Sequence, residues 1–156
     1  MTKTFLTLGF ILLFLQGYAT NVSGLIATNT TWTKANSPYI VTGNIAIDTG
    51  ATLTVEPGVT IKFDGNYFFV VYGRLSMQGT ITDTIRVTSN KIVPTKGDYP
   101  GIDYKNFKHP NDTAYFSYCH FSYSNAGINI NVTPTSAIIK NCVFMHCGTG
   151  VLNGWS

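Results

Sequence analysis

Two stretches near the carboxyl end of the chain repeat each other at a constant spacing of 23 residues. The first, AYFSYCHFSYSNAGI, begins at Ala114, and the second, AIIKNCVFMHCGTGV, begins at Ala137. A segment this short cannot enclose a core of its own, so each copy must be covered by a neighbouring copy. The matched positions are Ala114 with Ala137, Phe116 with Ile139, Cys119 with Cys142, Phe121 with Phe144, and Gly127 with Gly150.

A similar spacing runs back through the earlier part of the chain. Short apolar alternations separated by Gly, Pro, Asn and Asp fill this region, and no stretch shows helical spacing. A period of 22–24 residues built from several short strands predicts an all-β fold, a parallel β-helix (β-solenoid) of about five coils. The alignments are 45–47 with 69–71, 53–55 with 75–77, and 60–63 with 84–87, the last of which sets Lys62 beside Arg86.

Two segments resemble a known family. They are TWTKANSPYIVTGNIAIDTGATLTVEPGVTIKFDG, residues 31–65, and DYPGIDYKN, which begins at Asp98. The second is similar to a degenerate W-G-G-I motif, with Tyr99 and Pro100 where Trp and Gly are usual. The chain thus resembles exported bacterial proteins of the pectin-lyase-like superfamily, which implies a right-handed parallel β-helix. Since that superfamily includes lyases, hydrolases, adhesins and proteins without known activity, the resemblance implies no single reaction.

The chain divides into three predicted parts. Residues 1–19 read as a signal peptide, because Lys3 precedes an apolar run that is too short to cross a bilayer and ends near Ala19. Residues 20–38, including Trp32, are expected to cap the first coil, and residues 39–156 to form the β-helix. We expect a secreted or cell-surface protein without a membrane span in the mature chain. We also expect this to be the N-terminal portion of a longer protein, with further coils or an anchoring module downstream.

Charge and carboxylate placement exclude several classes of function. The formal charge is +3, and the cations are scattered, so a nucleic-acid surface is not predicted. Enzymes of this fold place carboxylates on neighbouring coils, but one period from five of the seven acidic residues lies a neutral one. We therefore predict no catalytic residue. The paired positions are Asp48 with Tyr72, Glu56 with Gln78, Asp64 with Thr88, Asp83 with Asn106, and Asp103 with Ala126.

Histidines and cysteines do not predict a metal site or a cofactor. His120 aligns with Val143 and His146 with Tyr123, so no histidine stacks on another. Cys119 and Cys142 are expected to form a buried thiol pair, because the parallel side chains of stacked residues fit disulfide torsions poorly. Cys147 leaves the cysteine count odd, and the redox state of all three stays open.

Two insertions, residues 89–101 and 105–113, interrupt the period and are expected to leave the β-helix as loops. Exposed aromatic rings there would suit a polysaccharide chain, although tyrosine is also an ordinary strand residue. We predict a non-catalytic scaffold that contacts polysaccharide or another surface macromolecule. The alternative is a fragment of a polysaccharide lyase or glycoside hydrolase whose catalytic residues lie outside this chain. Candidate ligand-binding residues are Tyr99, Tyr104, Phe107, His109 and Tyr115, and glycosylation sequons stand at Asn21, Asn29, Asn111 and Asn131.

Overall fold

A computed structural model describes residues 18–105, 114–130 and 137–153 of the protein. Within them, short strands and one 3-10 turn at Lys34–Asn36 wind into stacked coils. The strands are β1 Thr20–Ile26, β2 Thr30–Trp32, β3 Tyr39–Ile47, β4 Thr52–Val55, β5 Thr60–Phe63, β6 Phe69–Val71, β7 Arg74–Gln78, β8 Ile85–Ser89, β9 Ile102–Tyr104, β10 Ala114–Ser117, β11 Cys119–Ser122, β12 Ala126–Ile130, β13 Ala137–Lys140, β14 Val143–Met145 and β15 Thr149–Asn153.

The strands line up on three faces, and the pairings between successive coils are parallel. Face A consists of the first part of β3 followed by β5, β8, β11 and β14. Face B consists of the last part of β3 followed by β6, β9, β12 and β15. Face C consists of β2, β4, β7, β10 and β13. The prediction of an all-β parallel β-helix of about five coils is confirmed.

Alternation along each strand fills the interior. On β6, Phe69 and Val71 are buried while Val70 between them is half-buried, as the period-2 geometry of a strand requires. Equivalent inward positions on successive coils then lie above each other and form continuous apolar rows. The inward row of Face A is Tyr39, Ile61, Val87, Phe121 and Phe144.

Most of the predicted register is confirmed. Ile45 pairs with Phe69 and Leu53 with Leu75, at the predicted spacings. The 23-residue repeat is also correct, because Phe121 pairs with Phe144 and their rings stack with centroids 5.2 Å apart and planes 11° apart. The segment that begins at Ala114 is repeated from Ala137 because one copy stacks directly on the other.

One predicted alignment is wrong by two residues. Strand β5 pairs with residues 86–89, so that Thr60 faces Arg86, and Thr88 faces Lys62 instead of the predicted Asp64. The expected contact between Lys62 and Arg86 is therefore absent. A shift of two residues keeps every side chain on the same side of the sheet, so the apolar pattern could not detect it. The observed register is held at the strand end, where the side chain of Asn90 donates to Asp64 at 2.8 Å.

A second alignment needs the same kind of correction. Asp103 was aligned with Ala126, but in the structure Asp103 pairs with Asn129 on one side and Val70 on the other. The coil that contains Asp103 carries the 89–101 insertion, so its strand positions are displaced from the simple period.

Residues 20–38 lie against the first coil. Strand β1 runs parallel to β3, and β2 pairs with β4. Trp32 is buried and stacks on Tyr39, with ring centroids 4.7 Å apart. In the described part of the chain no helix is long and apolar enough to span a membrane. Residues 1–17 of the predicted signal peptide fall outside the described residues, so the signal peptide stays a prediction.

Candidate functional site

Two of the predicted ligand-binding residues, Tyr99 and Tyr104, are inside the core. Both side chains are fully buried. The ring of Tyr99 stacks on Phe63 with centroids 4.1 Å apart, and its hydroxyl donates to the carbonyl oxygen of Ser122 at 3.0 Å. Burial raises the pKa of Tyr99 above its usual value. The expectation that these two rings are exposed was wrong, because each faces inward and takes the place of an apolar core residue.

The other three predicted residues do not form a site with them in the described structure. Phe107 and His109 lie outside the described residues. Tyr115 is 40% exposed and lies on the outside of Face C, between Ser76 and Ile138. The five predicted residues are therefore not brought together among the residues that the structure describes.

The insertion after β8 is anchored by Asp98, which is largely buried. Its carboxylate accepts hydrogen bonds from the Lys91 ammonium at 2.7 Å and from the Thr95 backbone and hydroxyl at 3.0 and 2.8 Å. Burial alone would raise the pKa of Asp98, but hydrogen bonds from Lys91, Thr95 and Ser89 outweigh it and hold the pKa far below its usual range. Asp98 is thus a structural anion that holds this loop in place.

Beyond Asp98 the chain passes very close to the next coil. The backbone amides of Gly97 and Asp98 both donate to the carbonyl oxygen of Tyr123 at 3.0 Å. At Gly101, where φ is +111°, a Cβ would lie 1.7 Å from the carbonyl oxygen of Ala126. Only glycine fits there, which gives a physical reason for the glycine in the DYPGI segment.

A shallow groove of about 350 Å³ lies on the outside of Face B. Phe68 and Tyr72 flank strand β6 and point outward together with Val70 on the strand, and Phe68 and Tyr72 are 51% and 40% exposed. Val70 and Ala46, which pair across neighbouring coils, form the floor. With four residue-to-residue steps between Phe68 and Tyr72 at about 3.3 Å each, the two aromatic walls are about 13 Å apart. We call this site the Phe68–Tyr72 groove.

Polar groups line the edges of the Phe68–Tyr72 groove. Asp103 and Lys105 form an ion pair on the next coil, with Oδ2 and Nζ 3.1 Å apart. On the preceding coil, Asn44 accepts a hydrogen bond from the backbone amide of Phe68 at 2.9 Å through its side-chain oxygen. An acceptor carboxylate, a donor ammonium and an amide therefore border an apolar floor between two rings. Such a mixture suits a ligand with apolar ring faces and hydroxyl edges.

The groove offers no paired carboxylates for hydrolysis. Asp103 is the acidic residue of its lining, and its neighbours in the row, Val70 and Asn129, are neutral. A glycosidase needs two carboxyl groups on either side of the bond that it cleaves.

The described residues contain no group of three or more His, Cys, Asp or Glu side chains that could hold a metal ion. The predicted alignments of the histidines are confirmed. His120 pairs with Val143, and the ring of His146 stacks on Tyr123 with centroids 5.3 Å apart. The three cysteines are free thiols in this structure.

Sequence reasoning missed Phe68 and Tyr72, although a signal was present. In the stretch 68–72, FFVVY, strand alternation sends Phe69 and Val71 inward and leaves the residues on either side of them outside. The repeat aligns Ile45 with Phe69 as inward residues. Strand alternation then assigns Phe68, Val70 and Tyr72 to the outside. The predicted binding residues lie in or beside the two insertions, whereas Phe68 and Tyr72 flank β6.

Comparison with protein families gives one match, over residues 24–107, to the family described as a pectate-lyase like beta helix domain. Searches of curated proteins and of solved structures returned no match. The matched residues include β3 to β9 and therefore the whole of the Phe68–Tyr72 groove.

Proposed function

Since the chain belongs to the pectate-lyase-like β-helix family, we propose that it is a secreted or cell-surface, non-catalytic β-helix that binds polysaccharide in the Phe68–Tyr72 groove. The proposal rests on the exposed rings of Phe68 and Tyr72. They lie on the same outer surface, on either side of the apolar floor formed by Val70 and Ala46. The ligand class is the one that the sequence predicts, but the binding residues differ from the predicted ones.

Exposed aromatic rings favour a ligand that can cover them. A sugar ring presents an apolar C–H face that packs on an aromatic ring, and each covered ring removes apolar area from water at about 25 cal/mol per Å². Because the rings are about 13 Å apart, one end of a sugar chain can lie on Phe68 while another residue lies on Tyr72. A chain of several sugars gains from both contacts at once, whereas a monosaccharide gains from one.

The rim selects for hydroxyl groups. The Asp103 carboxylate accepts hydrogen bonds and the Lys105 ammonium donates them, so together they can bind neighbouring hydroxyls of one sugar. As the two charges balance each other, the groove has no strong preference for a charged sugar. We therefore expect hydroxyl-rich, uncharged polysaccharides to bind.

Affinity electrophoresis in gels containing neutral or acidic polysaccharides tests the proposal. The unaltered protein should be retarded by at least one neutral polysaccharide, and Phe68→Ala together with Tyr72→Ala should restore its mobility. Tyr115→Ala is the matched control, because Tyr115 is as exposed as Tyr72 but lies on Face C. Unchanged mobility of the unaltered protein across the panel would contradict binding, and equal loss in the Tyr115 variant would contradict the location.

The same incubations test the alternative that the chain belongs to a lyase or hydrolase. The chain belongs to a pectate-lyase-like family, so cleavage of a polysaccharide is the activity to test. We expect no new reducing ends and no unsaturated products from neutral or acidic polysaccharides. Release of either product by this chain would contradict the non-catalytic part of the proposal.

A further inference from the structure

Cys119 and Cys142 lie directly above one another on neighbouring coils. The residue pairs on either side of them, Ser117 with Lys140 and His120 with Val143, are in register. The two cysteines are therefore stacked neighbours, one on each coil. Cys119 is 1% exposed, whereas Cys142 is only half-buried and packs against the core from the next coil. Cys142 lies on the last described coil, so in this chain a reagent from solution reaches it before it reaches Cys119.

The third cysteine provides a natural comparison. Cys147 has the same side-chain placement as the other two, since each sulfur lies 3.4 Å from the carbonyl oxygen two residues earlier. One coil below Cys147, however, lies the hydroxyl of Ser124, with its Oγ 3.1 Å from the cysteine sulfur. The two positions thus share geometry and spacing and differ in having a thiol or a hydroxyl underneath.

We propose that Cys119 and Cys142 form a thiol–disulfide exchange site that accepts a low-molecular-weight disulfide and closes into a strained, easily reduced disulfide between two coils. Stacked strands hold their Cα atoms about 4.8 Å apart, which is inside the disulfide range, while the parallel side chains fit the preferred torsion poorly. A strained disulfide forms under oxidising conditions and is reduced more readily than an ordinary structural one.

The reaction takes two steps. The Cys142 thiolate attacks one sulfur of the small disulfide, which gives a mixed disulfide on Cys142 and releases one small thiolate. The Cys119 sulfur then attacks the Cys142 sulfur, which forms the bond between the coils and breaks the bond to the small group, and the departing small thiolate takes up the Cys119 proton and leaves as a thiol. The small disulfide takes up two electrons, and the two protein thiols supply them.

The order of attack follows from the electrostatics of the pair. The neighbouring Cys142 thiol, together with burial, raises the pKa of Cys119, and the neighbouring Cys119 thiol lowers the pKa of Cys142 from 9.0 to about 7. Cys142 is therefore the better nucleophile near neutral pH. Once Cys142 carries a mixed disulfide it no longer bears a negative charge, so the main cause of the raised pKa of Cys119 disappears and Cys119 can react.

Mass spectrometry of the non-reduced protein after treatment with oxidised glutathione tests the inference. In a Cys147→Ser background we expect loss of two hydrogens and no retained glutathionyl group. Adding Cys119→Ser should stop the second step and leave one glutathionyl group on Cys142. A Cys119→Ala version of the same variant guards against misfolding caused by a buried hydroxyl.

The comparison position supplies the decisive controls. A chain whose remaining cysteine is Cys147 should retain one glutathionyl group and form no internal disulfide. Ser124→Cys in a chain lacking Cys119 and Cys142 should transfer disulfide formation to positions 124 and 147. A glutathionyl group retained in the folded Cys147→Ser protein would overturn the proposal, as would an absence of any modification at Cys142.

Discussion

The coil formed by β10, β11 and β12 and the coil formed by β13, β14 and β15 share one sequence pattern but differ in burial. Phe121 in the first coil is fully buried, while Phe144 one period later is only half-buried, although the two rings touch. The same holds for Phe116 and Ile139. The first coil is covered on both sides, and the second is covered on one side within the described residues. Burial in this fold thus depends on the neighbouring coils more than on residue type.

The two coils also share their corners. Tyr118 and Tyr123 in the first coil have positive φ angles of 48° and 66°, and Asn141 and His146 at the matching positions have 53° and 54°. These corners are therefore fixed by the shape of the coil, since two different residues adopt the same unfavourable conformation. Side chains at these positions can change, and the backbone path does not.

The largest expected difference between the coils comes from their central rings. Phe121→Ala should lower the free energy of unfolding by about 3–5 kcal/mol, because it removes a fully buried ring. Phe144→Ala should cost about half as much, since part of that ring is already in water. Urea denaturation with comparison of the m-values measures both, and equal costs would contradict the difference in burial.

Two matched glycines give the next largest effect. A Cβ on Gly127 would lie 2.4 Å from Cδ1 and Cε1 of Phe144, whereas a Cβ on Gly150 would lie 3.3 Å from its Cγ. We expect Gly127→Ala to cost about 2–3 kcal/mol and Gly150→Ala less than about 1 kcal/mol. Thermal and urea unfolding distinguish the two. Combining Gly127→Ala with Phe144→Ala should cost less than the two separate costs added together, because the ring that clashes is then gone.

Acid should destabilise the 89–101 insertion. This insertion donates backbone hydrogen bonds to the carbonyl oxygen of Tyr123, in the coil formed by β10, β11 and β12. The pKa of Asp98 is lower in the folded protein than in the unfolded chain, so its contribution is present above about pH 4 and is lost as the pH falls below that value. We expect a loss of about 1–2 kcal/mol. Unfolding measured from pH 6 to pH 2 should show it, and Asp98→Asn should show a smaller pH dependence from a lower starting stability.

The smallest expected effect concerns the shared corner at Tyr118 and Asn141. Asparagine tolerates positive φ better than tyrosine does. Tyr118→Asn should therefore stabilise the protein by about 0.5 kcal/mol, and Asn141→Tyr should destabilise it by a similar amount. Opposite shifts in the melting temperature would support a common corner, and shifts of the same sign would contradict it.

Much of the fold could be predicted because stacking forces residues one period apart to be alike. The pairing of Phe121 with Phe144 followed directly from the repeat. The two-residue error at β5 and β8 could not be avoided in this way, because alternation looks the same after a shift of two. The length of the 89–101 insertion hid the inward direction of Tyr99 and Tyr104, since nothing in the period fixes where a strand resumes after a long loop.

The candidate site was less predictable than the fold for a related reason. Outward side chains are in contact with solvent, so their partners on neighbouring coils need not be alike, and Phe68 and Tyr72 leave no repeat in the sequence. Their location follows only after the inward partners Phe69 and Val71 are assigned. The groove also depends on Asp103, whose row could not be assigned without the correct register.

Strand β3 runs without a break from Face A to Face B. In each later coil a separate connection joins these two faces, and its length varies along the chain. The connections hold five residues after β5, twelve after β8, and three after β11 and after β14. Phe68, one wall of the groove, is the last residue of the five-residue connection. The connection between Face A and Face B can thus lengthen or shorten while the strand pairing on both faces is preserved. In a protein of this kind, a change in the length or sequence of one connection can alter the binding surface while the core stays the same.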